Sequence, residues 1–264
     1  AAASTSASGG TVVDLTAAGG FNGNPVAVYD PVNNKVVISF TGGASLYYMT
    51  TVVGTVSGAS ISFGTPVVTS TTFSYASGCY HTQAGKIAYI YKVASALVGR
   101  VVTVSGTTVS VGSAGTVRSG SGGADFLYSA VTYDSDNQKL AVLWRDIAST
   151  NYATYASIGT VSGTSISFSS PQAVDTSGQN FGCGITYSAE ESVVLMSWVD
   201  DYKATARAAT SNGSTLTFGT AVQLSTTNAN SPPLPVYDPT SGKMLVMWMK
   251  DTGSVAYFQT VGVS

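Results

Sequence analysis

The chain has 264 residues, 44% of them hydrophobic and only 9% charged, with a net charge of −2. That balance excludes a nucleic-acid binder, which needs a basic stripe to neutralise phosphates. The charge-free stretch from Val36 to Gly85 is broken throughout by Ser, Thr and Gly. No segment approaches the ~20 apolar residues of a spanning helix, so membrane insertion is not expected.

Residues 1–9 open the sequence as an Ala/Ser/Gly segment with neither the basic start nor the apolar core of a signal peptide. They read as a flexible linker left by processing or excision. A β-rich repeat follows. Its first strand is Pro25 to Tyr29, and Asp30-Pro31-Val32-Asn33-Asn34-Lys35 is a hairpin turn with the expected turn residues. Val36 to Phe40, Leu46 to Val53 and Ile61 to Val68 supply three more strands, separated by Gly- and Ser-rich turns. Together they make one antiparallel meander.

The same order recurs along the chain. An aromatic residue stands eleven positions after a tyrosine in Tyr29/Phe40, Tyr80/Tyr91, Tyr133/Trp144, Tyr187/Trp198 and Tyr237/Trp248, and the tyrosines are 51, 53, 54 and 50 residues apart. Lys35, Lys86, Lys139 and Lys243 each stand six residues after their tyrosine. Fourth strands repeat as Ile61-Ser62-Phe63, Val109-Ser110-Val111, Ile166-Ser167-Phe168 and Leu216-Thr217-Phe218. No window has helical periodicity. A four-stranded sheet of this size cannot bury both faces alone, and radial stacking solves that problem. The expected fold is therefore all-β, a five-bladed β-propeller with four antiparallel strands per blade. Its blades span approximately 20–70, 71–119, 120–177, 178–226 and 227–264, the last completed by 10–17, within one domain from 10 to 264. The tyrosines and their aromatic partners are expected to pack between blades.

Closure rests on the two ends. The sequence stops after a third strand, and Gly10-Thr11-Val12-Val13 resembles the fourth-strand segment Gly64-Thr65-Pro66-Val67. The N-terminal strand should complete the last blade. Cys79 and Cys183 occupy unequal places in their repeats and read as small buried residues rather than a disulfide.

In a propeller the loops between blades and those between second and third strands open on one face. That face collects Asn22, Asn24, Tyr75, Arg145, Asp146, Asn180, Asp200, Asp201, Tyr202, Asn230, Lys250 and Asp251 as the candidate binding residues. Mixed charges, amides and tyrosines suit hydroxyl-rich ligands. The opposite face carries Asp30, His81, Asp134, Glu190, Glu191, Asp238 and the recurring lysines, which read as turn chemistry and weak exposed Asp–Lys pairs. Glycosidic cleavage needs two facing carboxyls, but the only glutamates are the adjacent Glu190 and Glu191. An Asp146/Asp200 pair could serve in principle. No Cys/His cluster, phosphate loop or calcium loop is present, so neither a cofactor nor a metal is expected, and no catalytic residue is assigned. Asn212-Gly213-Ser214 matches a glycosylation acceptor, yet an Asn-Gly turn explains it.

Residues 53–68, reading VGTVSGASISFGTPVV, and 158–168, reading IGTVSGTSISF, resemble tandem repeats of virion structural proteins from tailed bacteriophages, especially marine ones. Residues 28–38 resemble the other half of that repeat; the second repeat departs, with Cys79-Tyr80-His81 in place of the Tyr-Asp turn. The resemblance implies a virion-surface or fibre-associated role among other virion or surface-assembly proteins, and no catalytic residue. The expected function is a non-enzymatic structural or adhesion propeller, virion-borne or extracellular, that recognises a glycan. A sugar-binding lectin is the alternative, and a glycoside hydrolase the third reading.

Overall fold

The computed structural model of the chain describes residues 10, 12, 23, 25–42, 47–120, 126–147, 152–229, 231–250 and 255–262, with backbone alone at 126 and 127. These residues form five antiparallel sheets, and no helix is present among them. The first sheet holds β1 (Val26–Asp30), β2 (Lys35–Gly42), β3 (Tyr48–Ser57), β4 (Ser60–Phe63) and β5 (Val67–Thr72). The second holds β6 (Ser74–His81), β7 (Lys86–Val93), β8 (Ala96–Ser105), β9 (Thr108–Val111) and β10 (Gly115–Ser119). The third holds β11 (Phe126–Asp134), β12 (Lys139–Asp146), β13 (Thr154–Ser162), β14 (Ser165–Phe168) and β15 (Gln172–Asp175). The fourth holds β16 (Asn180–Ser188), β17 (Val193–Asp200), β18 (Lys203–Ser211), β19 (Leu216–Phe218) and β20 (Val222–Gln223). The fifth holds β21 (Leu234–Asp238), β22 (Lys243–Met249) and β23 (Ala256–Val261). The all-β propeller-type architecture expected from the repeats is the one observed. First strands of successive blades pack side by side, β1 on β6, β6 on β11, β11 on β16 and β16 on β21, and so line the axis.

The expected single fourth strand is in fact two. β4 and β5 both pair with β3, and the break falls at residues 64–66. Pro66 has no N–H to give a ladder, and Gly64 passes so close to the next blade that a Cβ on it would strike the Thr107 carbonyl. The next boundary repeats the contact, Gly112 against Thr164 O and Gly115 against Ile166 O. At these two boundaries the blades therefore touch backbone to backbone along their outer edges.

The hairpins on the lower face are equivalent even where their sequences differ. The residue five after each tyrosine is left-handed in all five repeats, with φ 52° at Asn34, 63° at Gly85, 56° at Gln138, 54° at Ser192 and 64° at Gly242. The residue after each tyrosine caps the turn. Asp30 accepts from Val32 N and Asn33 N, Asp134 from Asn137 N, and Asp238 from Thr240 N. His81 does the same work with Nδ1, accepting from Ala84 N, and Ser188 does it with Oγ, accepting from Glu191 N. The lysines do not pair with these aspartates. Lys35 and Lys139 reach across to Thr55 and Thr160 on the third strands, at 2.8 and 3.1 Å, and Lys86 donates to Gly163 O. Asn212 Oδ1 accepts from Ser214 N and Thr215 N, so the acceptor-like tripeptide forms a turn.

Four apolar cores lie between successive sheets. Phe40, Tyr91, Trp144 and Trp198 are completely buried and Trp248 nearly so. Tyr91, Trp144, Trp198 and Trp248, one in each core, stabilise their boundaries by roughly 1.5–3 kcal/mol each. The tyrosines eleven residues earlier behave differently from expectation: Tyr29 is 54% exposed, and Tyr80, Tyr133, Tyr187 and Tyr237 flank the cores half-buried. They stand beside the hairpin turns, where the strand leaves the core. Cys79 and Cys183 are free, and burial pushes the Cys79 thiol up to about 12.

Among the described residues the ring is not closed. Leu245, Met247 and Phe258 leave the far face of the fifth sheet exposed. The N-terminal strand expected there lies outside the described residues except for Gly10 and Val12. Gly10 nonetheless meets Ala59 O of the first blade as Gly64 meets Thr107 O of the second. Ala59 and Thr107 are the same position in successive repeats.

Candidate functional site

Of the expected binding face, Asn22, Asn24, Asn230 and Asp251 lie outside the described residues. Tyr75, Arg145, Asp146, Asn180, Asp200, Asp201, Tyr202 and Lys250 lie within, at the ends of strands that open on the rim. They separate into an acidic cluster on the fourth blade and an aromatic group on the second and third. Lys250 sits apart on the fifth blade, where its backbone bridges Ala229 and donates to Val255 O.

The acidic cluster is built by a two-residue hairpin. Asp200 pairs with Lys203, and the two residues between them, Asp201 and Tyr202, have φ of 42° and 66°. That is the primed turn whose twist suits a hairpin, normally made with Asn and Gly. A tyrosine in the left-handed region is an outlier for a bulky side chain, and such outliers gather at functional sites. Tyr202 is 53% exposed and meets the Phe181 ring edge-on at 5.8 Å.

Asp175, at the end of β15, comes in from the preceding blade. Its carboxylate accepts from Trp198 Nε1 at 2.9 Å and from Ser177 N and Oγ at 2.9 and 2.7 Å. Asp201 accepts from Gln179 N at 2.8 Å. Asp200 is within reach of the charge of both carboxylates. Its Oδ1 is shut off from solvent without a hydrogen-bond partner. Burial first, then the charges of Asp175 and Asp201, push the Asp200 carboxyl up to about 6. Gly178, at φ +61°, permits the approach, since a Cβ there would run into Asp200 Oδ1. Asn180, wholly buried, donates Nδ2 to Asp175 O at 3.3 Å, and its Oδ1 has no partner. Lys203 is held away by Thr226 O and Asn228 Oδ1.

The aromatic group is built by β-bulges. Tyr75 and Tyr128 occupy the same repeat position, five before the tyrosine that starts each hairpin, and the first strand bulges at both. Both are left-handed, at φ 50° and 54°, and their exposed rings meet edge-on at 5.9 Å. Ser129 Oγ donates to Tyr75 O at 2.6 Å and ties the two blades together. Arg145, from the end of β12, stacks over the Tyr152 ring at 4.6 Å. Burial holds its guanidinium below the usual range.

The Asp146/Asp200 pair considered from the sequence is not formed. Asp146 is buried and faces Arg118 of the second blade at 3.7 Å, whereas the carboxylates that act on Asp200 are Asp175 and Asp201. Asp175, Tyr128, Tyr152, Phe181 and Gly178 escaped the sequence reading. Asp175 belongs to an outer strand, which composition alone assigns to the scaffold. For Tyr128, however, the repeat position shared with Tyr75 was a usable signal. Among the described residues no group of three or more His, Cys, Asp or Glu could hold a metal ion. A groove of about 570 Å³ lies away from the rim, lined by Leu195, Ala206, Ala208, Phe218 and Val261. At an earlier boundary the place of Ala206 is taken by Gly99, whose Cβ would meet the Phe168 ring of the next blade's fourth strand. The groove is thus blade-packing surface.

No protein-family model matches the chain, and no curated protein sequence matches it. Similarity appears in structure. A mutant of AofleA from Arthrobotrys oligospora superposes with a TM-score of 0.58 at 8% identity, over 90% of this chain and 68% of that one. A polysaccharide lyase superposes with a TM-score of 0.52 at 8% identity, over 91% of this chain but only 58% of its own length. An endo-arabinase from Bacteroides thetaiotaomicron is similar over 94% of this chain and 95% of its own, at a TM-score of 0.48 and 8% identity. At such identities the likeness is one of fold.

These findings correct the expectation of a non-enzymatic structural or adhesion propeller. The architecture is shared with a polysaccharide-cleaving enzyme, so it gives no ground for setting catalysis aside. The sequence reading weighed the adjacent glutamates and an Asp146/Asp200 pair; at the fourth blade the carboxylates that act on Asp200 are instead Asp175 and Asp201.

Proposed function

We propose that this propeller processes glycans at its rim, with Asp200 as the general acid. The observation that carries the reading is the Asp200 carboxyl, whose Oδ1 is buried without a hydrogen-bond partner against Gly178, in surroundings that push it up to about 6. Cleavage of a glycosidic bond uses one protonated and one ionised carboxyl whose environments set them apart. Asp200 gives its proton to the leaving oxygen. Asp201 follows Asp200 but stands in the left-handed turn, where strand alternation does not send neighbouring side chains apart, and it is the carboxylate that activates water or removes a substrate proton. Burial first, and then the charge of Asp175, which Trp198 and Ser177 anchor, keep Asp200 protonated. Tyr202, with Phe181 behind it, offers a ring for a sugar to stack on.

The test is a panel of polysaccharides with products identified by mass spectrometry, which separates hydrolysis from elimination. Asp200→Asn should lower turnover by about 100-fold or more while the protein stays folded. A wild-type protein that releases no product from any member of the panel, or a variant as active as wild type, overturns the reading.

The likeness of residues 53–68 and 158–168 to repeats of tailed-bacteriophage virion proteins supports a particle surface as the setting, with other virion proteins as partners and an extracellular glycan as substrate. Mass spectrometry of purified particles from the source would find the chain there; its absence would remove that setting and leave the chemistry untouched.

A further inference from the structure

Arg145 is not explained by the acid cluster. Among the described residues no carboxylate pairs with it, and the ion pair of this region joins its neighbour Asp146 to Arg118 instead. Its Nε is buried with no hydrogen-bond partner. The groups that act on its charge are Tyr128, Cys183 and Tyr152, not Asp175, Asp200 or Asp201. A guanidinium whose Nε has lost water without gaining a partner is unfavourable, and stacking on Tyr152 offsets only part of that cost. Arginine also presents a planar fork of donors that matches carboxylate and sulfate groups.

The rings beside it point the same way. In the fourth blade the bulge of the first strand carries Gly182, with φ 68°, at the position of Tyr75 and Tyr128. The bulge is therefore scaffold that glycine makes without strain. Tyrosine in the second and third blades is an addition with a backbone cost of about 1–3 kcal/mol each. What it gains is two exposed rings facing the rim beside Arg145.

We propose that Arg145 is the anion subsite of this face, receiving the carboxylate or sulfate of an acidic glycan whose rings lie against Tyr75 and Tyr128. The inference rests on the glycan reading above and names its substrate class. The probes are a tetrameric oligogalacturonide, a sulfated neutral oligosaccharide and its unsulfated parent. Each is titrated by calorimetry into the whole chain carrying Asp200→Asn. An acidic probe should bind at least about tenfold more tightly than the neutral one, a preference that Arg145→Gln abolishes and Arg145→Lys restores only in part. The better of the two acidic probes identifies the group as carboxylate or sulfate. Tyr128→Gly, which the bulge accepts, should weaken all three probes and keeps the test open if Arg145→Gln fails to fold. Equal affinity for acidic and neutral probes, or an acidic preference that survives Arg145→Gln, overturns the inference. Cleavage of neutral glycans with no acidic preference would do so while sparing the proposed function. Acidic binding at Arg145 with no cleavage of any glycan would spare the subsite and remove the enzyme.

Discussion

At the scale of the residue, Asp200 connects chemistry to stability. Its carboxyl stands at about 6 in the fold against an ordinary 3.8. The folded protein therefore holds this proton more tightly than the unfolded chain between those values. The stability it contributes is present below the ordinary value, lost as pH rises through about 6, and constant above. Asp200→Asn should thus stabilise the protein by about 1 kcal/mol near pH 8, allowing for solvent screening of a part-exposed group, and by nothing near pH 3. Denaturant titrations at the two pH values read this directly. Wild-type turnover should fall as pH rises through about 6, where the acid loses its proton; a rate that climbs instead would remove Asp200 from that role. Gly178→Ala should cost about 1–3 kcal/mol, because the residue must hold a left-handed φ and clear Asp200. Tm and the pH–rate profile should shift together in that variant. Half of this site could be read from the sequence. Asp200, Asp201 and Tyr202 stood out because the hairpins of the five repeats disagree there. Asp175 did not, since it meets Asp200 only through the approach of one blade's outer strand to the next blade's hairpin.

At the scale of the element, the repeat period carried the strand order and the turns but not the split of the fourth strand. Pro66 marks the break in the first blade, yet Gly112-Ser113-Ala114 marks it in the second without any proline. In these two blades the carbonyl of the neighbouring blade closes on the break, a contact that no local pattern records. The hairpin caps show the opposite case. Asp30, His81, Asp134, Ser188 and Asp238 look unlike in sequence and do one job, so equivalence of position foretold more than identity of residue. Gly112→Val should cost about 1–3 kcal/mol by forcing a side chain into the Thr164 and Val101 carbonyls. Gly219→Ala is the control. Its nearest neighbour would be Ala208 O at 3.4 Å, so its unfolding midpoint in urea should barely move.

At the scale of the whole molecule, four cores join the five sheets among the described residues, and the fifth boundary is where the two ends of the chain would meet. Gly10 meets Ala59 O just as Gly64 meets Thr107 O, and the sequence expects an N-terminal strand to complete the last blade. Deleting residues 1–17 should lower Tm by roughly 10 °C if that strand contributes about 3 kcal/mol. An unchanged Tm would show that the two ends are not joined through it. The glycine contacts along the outer edges carry a wider implication. Where main chain abuts main chain, at the first two boundaries, the angle between neighbouring blades does not depend on the size of a side chain at the contact. Substitutions can then accumulate in the cores and on the rim without changing the curvature of the arc. A scaffold pitched in this way can change its ligands while keeping its shape, and shape is what this chain shares with distant proteins at 8% identity.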